Sequence, residues 1–399
     1  MRFLMITNTL PYPPIAGHPI RNLNLLKRIA QKNEVWLLAL MDEDQFPVDL
    51  GPLKDICQEV ILIPFGEFSA LARPLQAIQF LLQGTPPELR LYETKGMIDA
   101  LRDLTHRVEF DIIQFEDSYM AHYQEYLPAG WQGKRILTFI DIAYRQYDRI
   151  YRIETKILRK LRLWLYSRMM YNWEPQYAGN FDLSVTMSDI DRDLLLSRNS
   201  SLNITTIPNG VDTHEFQPLP MPVDGSNNLV YVGNMSYRPN ADAVTYFCEE
   251  ILPLIHQKIP NVQFWIVGNQ PLPEVYELQN EFVHVTGRVE DVQPFYQKSS
   301  VCVIPLRAGS GTRLKILEAM ALGRPIVSTS VGAEGIDITD GDNILIGDDP
   351  QTFASHIVHL LQDQATWQRI TTQARQFAVD NYDWDSITDK LLKTFDSLD

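Results

Sequence analysis

The sequence predicts an α/β protein built as two Rossmann-like domains facing a central cleft, and three observations predict it. At 399 residues the chain exceeds what one ordinary hydrophobic core serves, so two domains of about 200 residues each are expected. Short apolar runs alternate with amphipathic stretches, the pattern of parallel strands covered on both faces by helices. The scheme runs twice, once in each half. Two such units, each presenting strand C-termini, leave a crevice for a ligand.

In the first half, Arg2 to Ile6 reads as a buried strand, followed by a turn-rich loop to Gly17. A helix then carries Ile20, Leu23, Leu26 and Ile29 on one face. Val35–Leu40, Val60–Pro64, Asp111–Phe115 and Arg135–Ile140 have strand character. The second half is cleaner: Leu229–Gly233, Phe264–Gly268, Val283–Val285, Val301–Ile304 and Pro325–Thr329 are strands. Ala243–His256 and Gln351–Gln362 are helical patterns among them. The segment Pro208-Asn209-Gly210-Val211-Asp212, with Pro218, Pro220 and Pro222 beyond, suits a hinge. The expected division is therefore residues 1–207, residues 208–378 and a terminal helical segment 379–399.

Composition narrows the function. A formal charge of −15 argues against nucleic acid as the general partner. The three cysteines, Cys57, Cys248 and Cys302, lie far apart in apolar surroundings; they read as buried thiols of a reducing compartment, neither a disulfide framework nor a metal set. The chain opens on a strand-like run, and no stretch approaches the length of a membrane span, so a cytoplasmic protein is expected. One segment departs from the acidic whole. Between Arg145 and Arg168, basic residues interleave with Ile150, Ile153, Ile157, Leu158, Leu161, Leu163, Trp164 and Leu165. On a helix this sets an apolar stripe beside a basic one. It is either a domain helix burying its apolar face or a peripheral contact with the inner face of an anionic membrane.

The segment from Ala308 to Thr329 carries most of the chemistry. Gly309 and Gly311 let the backbone turn sharply beside a ligand. Ser310 or Thr312 can cap a helix running to about Leu322, where Gly323 and Pro325 stop it. Free amides at that helix start form an anion site. Arg313 and Lys315 fall in the first turn, where the macrodipole disfavours cations, and their place there makes sense if an anion such as a diphosphate lies between them. Otherwise both point to solvent or pair with acids. Glu318 sits in an apolar stretch. It needs partners, and ribose hydroxyls are suitable ones, unless the side chain reaches the surface.

Over its whole length the chain resembles glycosyltransferase family four. The matching pieces are the loop through Gly17, the Pro208–Asp212 junction, the strand ending at Gly233, and Gly287-Arg288-Val289. The Leu317-Glu318-Ala319-Met320-Ala321 helix followed by Gly323 and Pro325 completes them. The resemblance implies a GT-B architecture and a nucleotide-diphosphate sugar as co-substrate. It also implies an acceptor held mainly by the N-terminal domain, retention of configuration, no cofactor and no metal. The last helix then returns to the N-terminal domain. By position, Glu318 matches the second glutamate of the family's Glu-x7-Glu motif, which holds the ribose, while the first glutamate is replaced by Ser310. Amides from Gly309 to Thr312 can contact the sugar instead. Gly233 is followed by Asn234, which leaves Arg238 as the cation of that loop. A histidine common in the family falls on Ile140; Asp141 beside it and Glu116 at a strand end are the acceptor-side candidates, and either can equally be a loop carboxylate. His18 stands where relatives often have glycine.

A hexosyl transfer of this type fits a front-face mechanism. The leaving diphosphate, held by Arg238, Arg313, Lys315 and helix amides, helps deprotonate the acceptor hydroxyl. The alternative is a degenerate nucleotide-sugar-binding protein, favoured by Ser310 and Ile140 and opposed by Glu318 with Arg313 and Lys315. An epimerase or hydrolase of the same fold ranks lower for want of clustered carboxylates. A nicotinamide-dependent dehydrogenase ranks lower still, because no Gly-x-Gly-x-x-Gly follows the first strand.

Overall fold

The computed structural model describes residues 1–42, 48–65, 86, 89, 92–154, 156–222, 227–309 and 313–398. The chain divides into two units, Met1–Pro208 with Thr388–Asp399, and Asn209–Ile387.

The first unit holds a seven-stranded sheet in the order β3-β2-β1-β4-β5-β6-β7. Its strands are β1 (Arg2–Thr7), β2 (Glu34–Asp42), β3 (Glu59–Phe65), β4 (Ile112–Glu116), β5 (Lys134–Phe139), β6 (Leu183–Thr186) and β7 (Ile204–Thr206). All pairings are parallel. Phe3, Leu4, Met5 and Ile6 of β1 have no exposed surface, which is why this strand reads as a continuous apolar run and not an alternating one. Helix α1 (Gly17–Ile29) follows β1 directly and turns Leu23, Leu25, Leu26 and Ile29 inward. After β5 come α2 (Ala143–Ile153) and α3 (Ile157–Ala178), packed on one another.

The second unit is a six-stranded parallel sheet in the order β10-β9-β8-β11-β12-β13. Its strands are β8 (Asn228–Val232), β9 (Gln263–Val267), β10 (Val283–Val285), β11 (Val301–Ile304), β12 (Ile326–Ser328) and β13 (Leu345–Ile346). Helix α4 (Arg238–Tyr246) continues through a π turn at Phe247–Ile251 into α5 (Leu252–His256). Helix α6 (Leu314–Ala321) lies between β11 and β12, and α7 (Pro350–Gln362), α8 (Gln364–Tyr382) and α9 (Trp384–Asp396) close the chain. In both sheets the strand order reverses once, between β1 and β4 and between β8 and β11. In open parallel sheets, that reversal opens a crevice at the strand C-termini where ligands bind.

Several expectations change in detail. The basic and apolar segment 145–168 is not one helix, because Glu154 and Lys156 take extended dihedrals and break it into α2 and α3. The helix expected from Ala243 begins earlier, at Arg238, with Pro239 in its first turn. Strand β13 has only two residues, too few for a pattern. Cys57 and Cys302 are buried, but Cys248 is only partly so. Residues 379–387 stay with the second unit, where Val211 donates to the Tyr382 carbonyl at 2.8 Å and Thr213 Oγ1 donates to Asp383. Only Thr388–Asp399 joins the first unit, where Phe395 stacks on Phe3 with centroids 6.2 Å apart.

Candidate active site

In the second unit the site is built at the β8/β11 reversal. The chain leaves β8 at Gly233, whose amide donates to the Val267 carbonyl at 2.9 Å. Lys315, in the first turn of α6, reaches across to this strand end. Its ammonium donates to Tyr231 Oη at 2.9 Å and to Asn240 Oδ1 at 3.2 Å. Tyr231 donates to the same Asn240 oxygen at 2.6 Å, and Asn240 Nδ2 donates to the Asn234 carbonyl at 2.8 Å. The ammonium also stands 4.1 Å from the Tyr231 ring centroid. A Cβ on Gly233 would fall 2.7 Å from Lys315 Nζ, so a side chain here would push the ammonium aside. An ammonium has three donors; two have partners, and the third has none among the described residues. Burial, reinforced by the neighbouring Arg313 charge, brings the Lys315 pKa down to about 7. An anion at this point would return it towards its ordinary value.

Arg313 precedes the first residue of α6 and makes no side-chain cap hydrogen bond there; the expected caps Ser310 and Thr312, with Gly311 between them, lie outside the described residues. Its side chain is 8% exposed. Gly309 has φ 132°, and a Cβ there would lie 2.7 Å from Arg313 Nη2. The glycine therefore permits both the turn and the close guanidinium. Glu318 lies one helical turn beyond Lys315. Burial raises its pKa to about 7, partly opposed by the Lys315 charge. Its carboxylate accepts no hydrogen bond among the described residues, and the side chain is only half-buried.

The other candidates in this unit do not join the cluster by contact. Arg238 is exposed at the start of α4 and Arg288 is exposed after Gly287, and neither makes a hydrogen bond or ion pair among the described residues. Val289 packs partly against the core of this unit.

In the first unit the β1/β4 reversal carries a second polar cluster. Glu116 ends β4 with no exposed surface. Its Oε1 accepts from Thr138 Oγ1 at 3.0 Å and from Gln114 Nε2. Its Oε2 lies 3.7 Å from His18 Nε2, in the first turn of α1. Burial pushes this carboxyl up, but the nearby His18 imidazole, the Arg21 charge and the Gln114 hydrogen bond together hold it below its ordinary value. Arg21 is fully buried, donates to the Pro208 carbonyl at 2.8 Å, and has its pKa lowered by desolvation to about 10 against the Glu116 charge. Asp117 follows with φ 80°, ψ 145°, a strained conformation for a residue with a side chain. Gly17 is exposed at the start of α1, and Asp141 is partly buried in the bend after β5.

Tyr231, Asn240 and Arg21 were not legible as site residues. A tyrosine in an aliphatic strand and an asparagine within the first helical turn after a Gly-ended strand were the available signals. No group of three His, Cys, Asp or Glu placed to hold a metal ion occurs among the described residues.

Residues 226–363 match the family model described as glycosyl transferases group 1. A phosphatidyl-myo-inositol mannosyltransferase of Mycolicibacterium smegmatis is 22% identical over 61% of this chain and 64% of its own length. Among solved structures, a sucrose-phosphate synthase from Thermosynechococcus elongatus superposes with a TM-score of 0.73 at 16% identity, covering 100% of this chain and 99% of that one. Anabaena HepE in complex with UDP-glucose superposes at 0.69 and 14% identity over 99% of both chains. The chain therefore has the GT-B fold, its second unit matches the glycosyl transferases group 1 model, and together these support a glycosyltransferase.

Proposed function

We propose that the protein is a retaining, metal-independent hexosyltransferase that moves a sugar from a nucleotide-diphosphate sugar to a hydroxyl on a glycan, lipid-linked or small-molecule acceptor. The observation that carries this reading is the third donor of Lys315, open beside Arg313 where β8 and β11 part. The two cations neutralise the charge that grows on the leaving diphosphate, the preorganised electrostatics that lowers a barrier most. Glu318 accepts the two ribose hydroxyls. The departing phosphate oxygen takes the acceptor proton as the new glycosidic bond forms on the face the diphosphate leaves. Glu116, with His18 before it, contacts the acceptor from the first unit.

UDP-glucose, the ligand of one structural neighbour, is the first donor to try, followed by GDP- and ADP-sugars. Calorimetry should give binding of one of them, weakened about tenfold in Glu318→Gln, the worth of one or two hydrogen bonds to a charged group. The same substitution should cost nothing with a 2′,3′-dideoxyribose nucleotide. If no nucleotide-sugar binds the folded protein at millimolar concentration, the reading fails. Ser310 and Ile140, in place of the glutamate and histidine common in the resembling family, favour one other reading, a nucleotide-sugar-binding protein without transfer. Binding with no turnover across an acceptor screen would select it.

A further inference from the structure

We propose that the outward face of the α2–α3 pair docks on an anionic lipid bilayer. This goes beyond the transfer reaction and rests on no part of the donor site.

Helix α3 has two apolar faces. Leu163, Met170 and Ala178 turn inward and are buried. On another face, Ile157, Leu158, Leu161, Trp164 and Leu165 are 82%, 84%, 60%, 45% and 37% exposed. Their spacing of one, four, seven and eight residues from Ile157 is that of a single stripe along a helix. Ile150 of α2 adds to it at 38%. Single exposed apolar residues are ordinary on a protein surface, but a continuous row marks a surface that something covers. Six of the eleven large hydrophobic side chains exposed among the described residues lie in this one pair of helices.

The charge around the stripe identifies the occupant. Residues 145–168 contain eight arginines and lysines against Asp148 and Glu154, in a chain whose net charge is −15. Arg145 pairs with Asp191, Arg152 with Asp148 and Arg159 with Glu154. Lys160 lies over the Tyr151 ring and Arg162 over the Tyr166 ring. Arg159 and Arg162 are exposed and Lys160 is half-exposed, where long cationic side chains can reach a headgroup boundary. A second copy of the chain seated here by two-fold symmetry would bring the same positive patch onto itself. A bilayer with anionic headgroups meets both requirements, apolar depth for the stripe and negative charge at its rim. No helix among the described residues is long and apolar enough to cross a membrane, so the contact lies on the surface.

The test is co-sedimentation of the whole chain with phosphatidylcholine vesicles, with and without phosphatidylglycerol. Binding is expected only with phosphatidylglycerol and should weaken with added salt. Arg159→Gln, Lys160→Gln and Arg162→Gln together should weaken it about 100-fold, at about fivefold for each cation near the surface. Leu158→Glu with Leu161→Glu should abolish it. All five side chains are exposed or half-exposed, and UDP affinity with an unchanged melting temperature shows that each variant is folded. No binding to phosphatidylglycerol vesicles overturns the proposal, as does binding that either variant retains in full. Self-association of the wild type, lost in the Leu158/Leu161 variant without vesicle binding in either, would assign the face to a second copy instead. Each of these failures leaves the donor reading standing, because UDP binding is measured on the same samples.

Discussion

The two sheets place charge at the same topological point and treat it in opposite ways. At the β1/β4 reversal, Glu116 is sealed from water and answered by His18, Arg21, Gln114 and Thr138 of its own unit. At the β8/β11 reversal, Lys315 and Arg313 stand together with one half-buried carboxylate near them, and that carboxylate has no hydrogen-bond donor among the described residues. In the first cluster the buried carboxylate is matched by cations of its own unit; in the second, two neighbouring cations lie near one carboxylate, an arrangement that an anion would stabilise. A balanced cluster suits an uncharged hydroxyl ligand and contributes to folding. An unbalanced one is suited to a diphosphate and gives up stability for binding.

Breaking each cluster should therefore show in different measurements. The largest effect is expected from Glu116→Leu, which leaves the buried Arg21 without its carboxylate. It should cost about 3–5 kcal/mol of stability in urea titration, with UDP affinity unchanged in protein that remains folded. Loss of UDP affinity with stability intact would reverse the assignment of the two clusters.

Next is Lys315→Met. It should lower UDP affinity about 10- to 100-fold, the worth of charged hydrogen bonds, and leave stability equal or improved because a desolvated ammonium is gone. pH sharpens this prediction. Lys315 is depressed to about 7, so it loses its proton and its grip on phosphate as pH rises through that value. Glu318 is raised to about 7, so it is protonated, and loses its ability to accept from ribose, as pH falls through the same value. UDP affinity should follow a bell with its maximum near neutrality, governed by the pair as a whole. Lys315→Met should flatten the alkaline limb and Glu318→Gln the acid limb.

The smallest effect tests a third buried carboxylate. Glu174 of α3 accepts from the Ala143 and Tyr144 amides at 3.0 and 3.3 Å, at the start of α2. Burial raises its pKa from 4.5 to about 8, so the folded state holds a proton that the unfolded state releases. Its contribution is complete below pH 4.5 and is lost progressively as pH rises towards 8. Glu174→Gln keeps an acceptor and removes the titration. Thermal melts should show it losing less stability than wild type between pH 5 and pH 8, with no gain over wild type at pH 5.

These pairs also mark how far sequence reasoning reached. The strands were legible because a strand buried on both faces is apolar at every position, as in Phe3 to Ile6. Lys315, Arg313 and Glu318 were legible because charge at a helix start, or within an apolar helix, conflicts with local rules and asks for a reason. Tyr231 and Asn240 break no local rule; their role exists only once α6 lays Lys315 across β8. Glu174 and Arg21 look like ordinary solvent-facing helix residues until tertiary packing buries them. The break between α2 and α3 has no proline or glycine to announce it.

The last twelve residues bear on how the molecule is made. Phe395 stacks on Phe3 and Lys134 donates to the Leu398 carbonyl, so the earliest strand is covered by the latest helix. On a ribosome adding about 5–20 residues each second, the first unit waits roughly ten to forty seconds, while the whole second unit is synthesised, before its final piece exists. Until Phe395 is made, the Phe3 ring lacks one of its partners, and the order of maturation runs opposite to the order of translation.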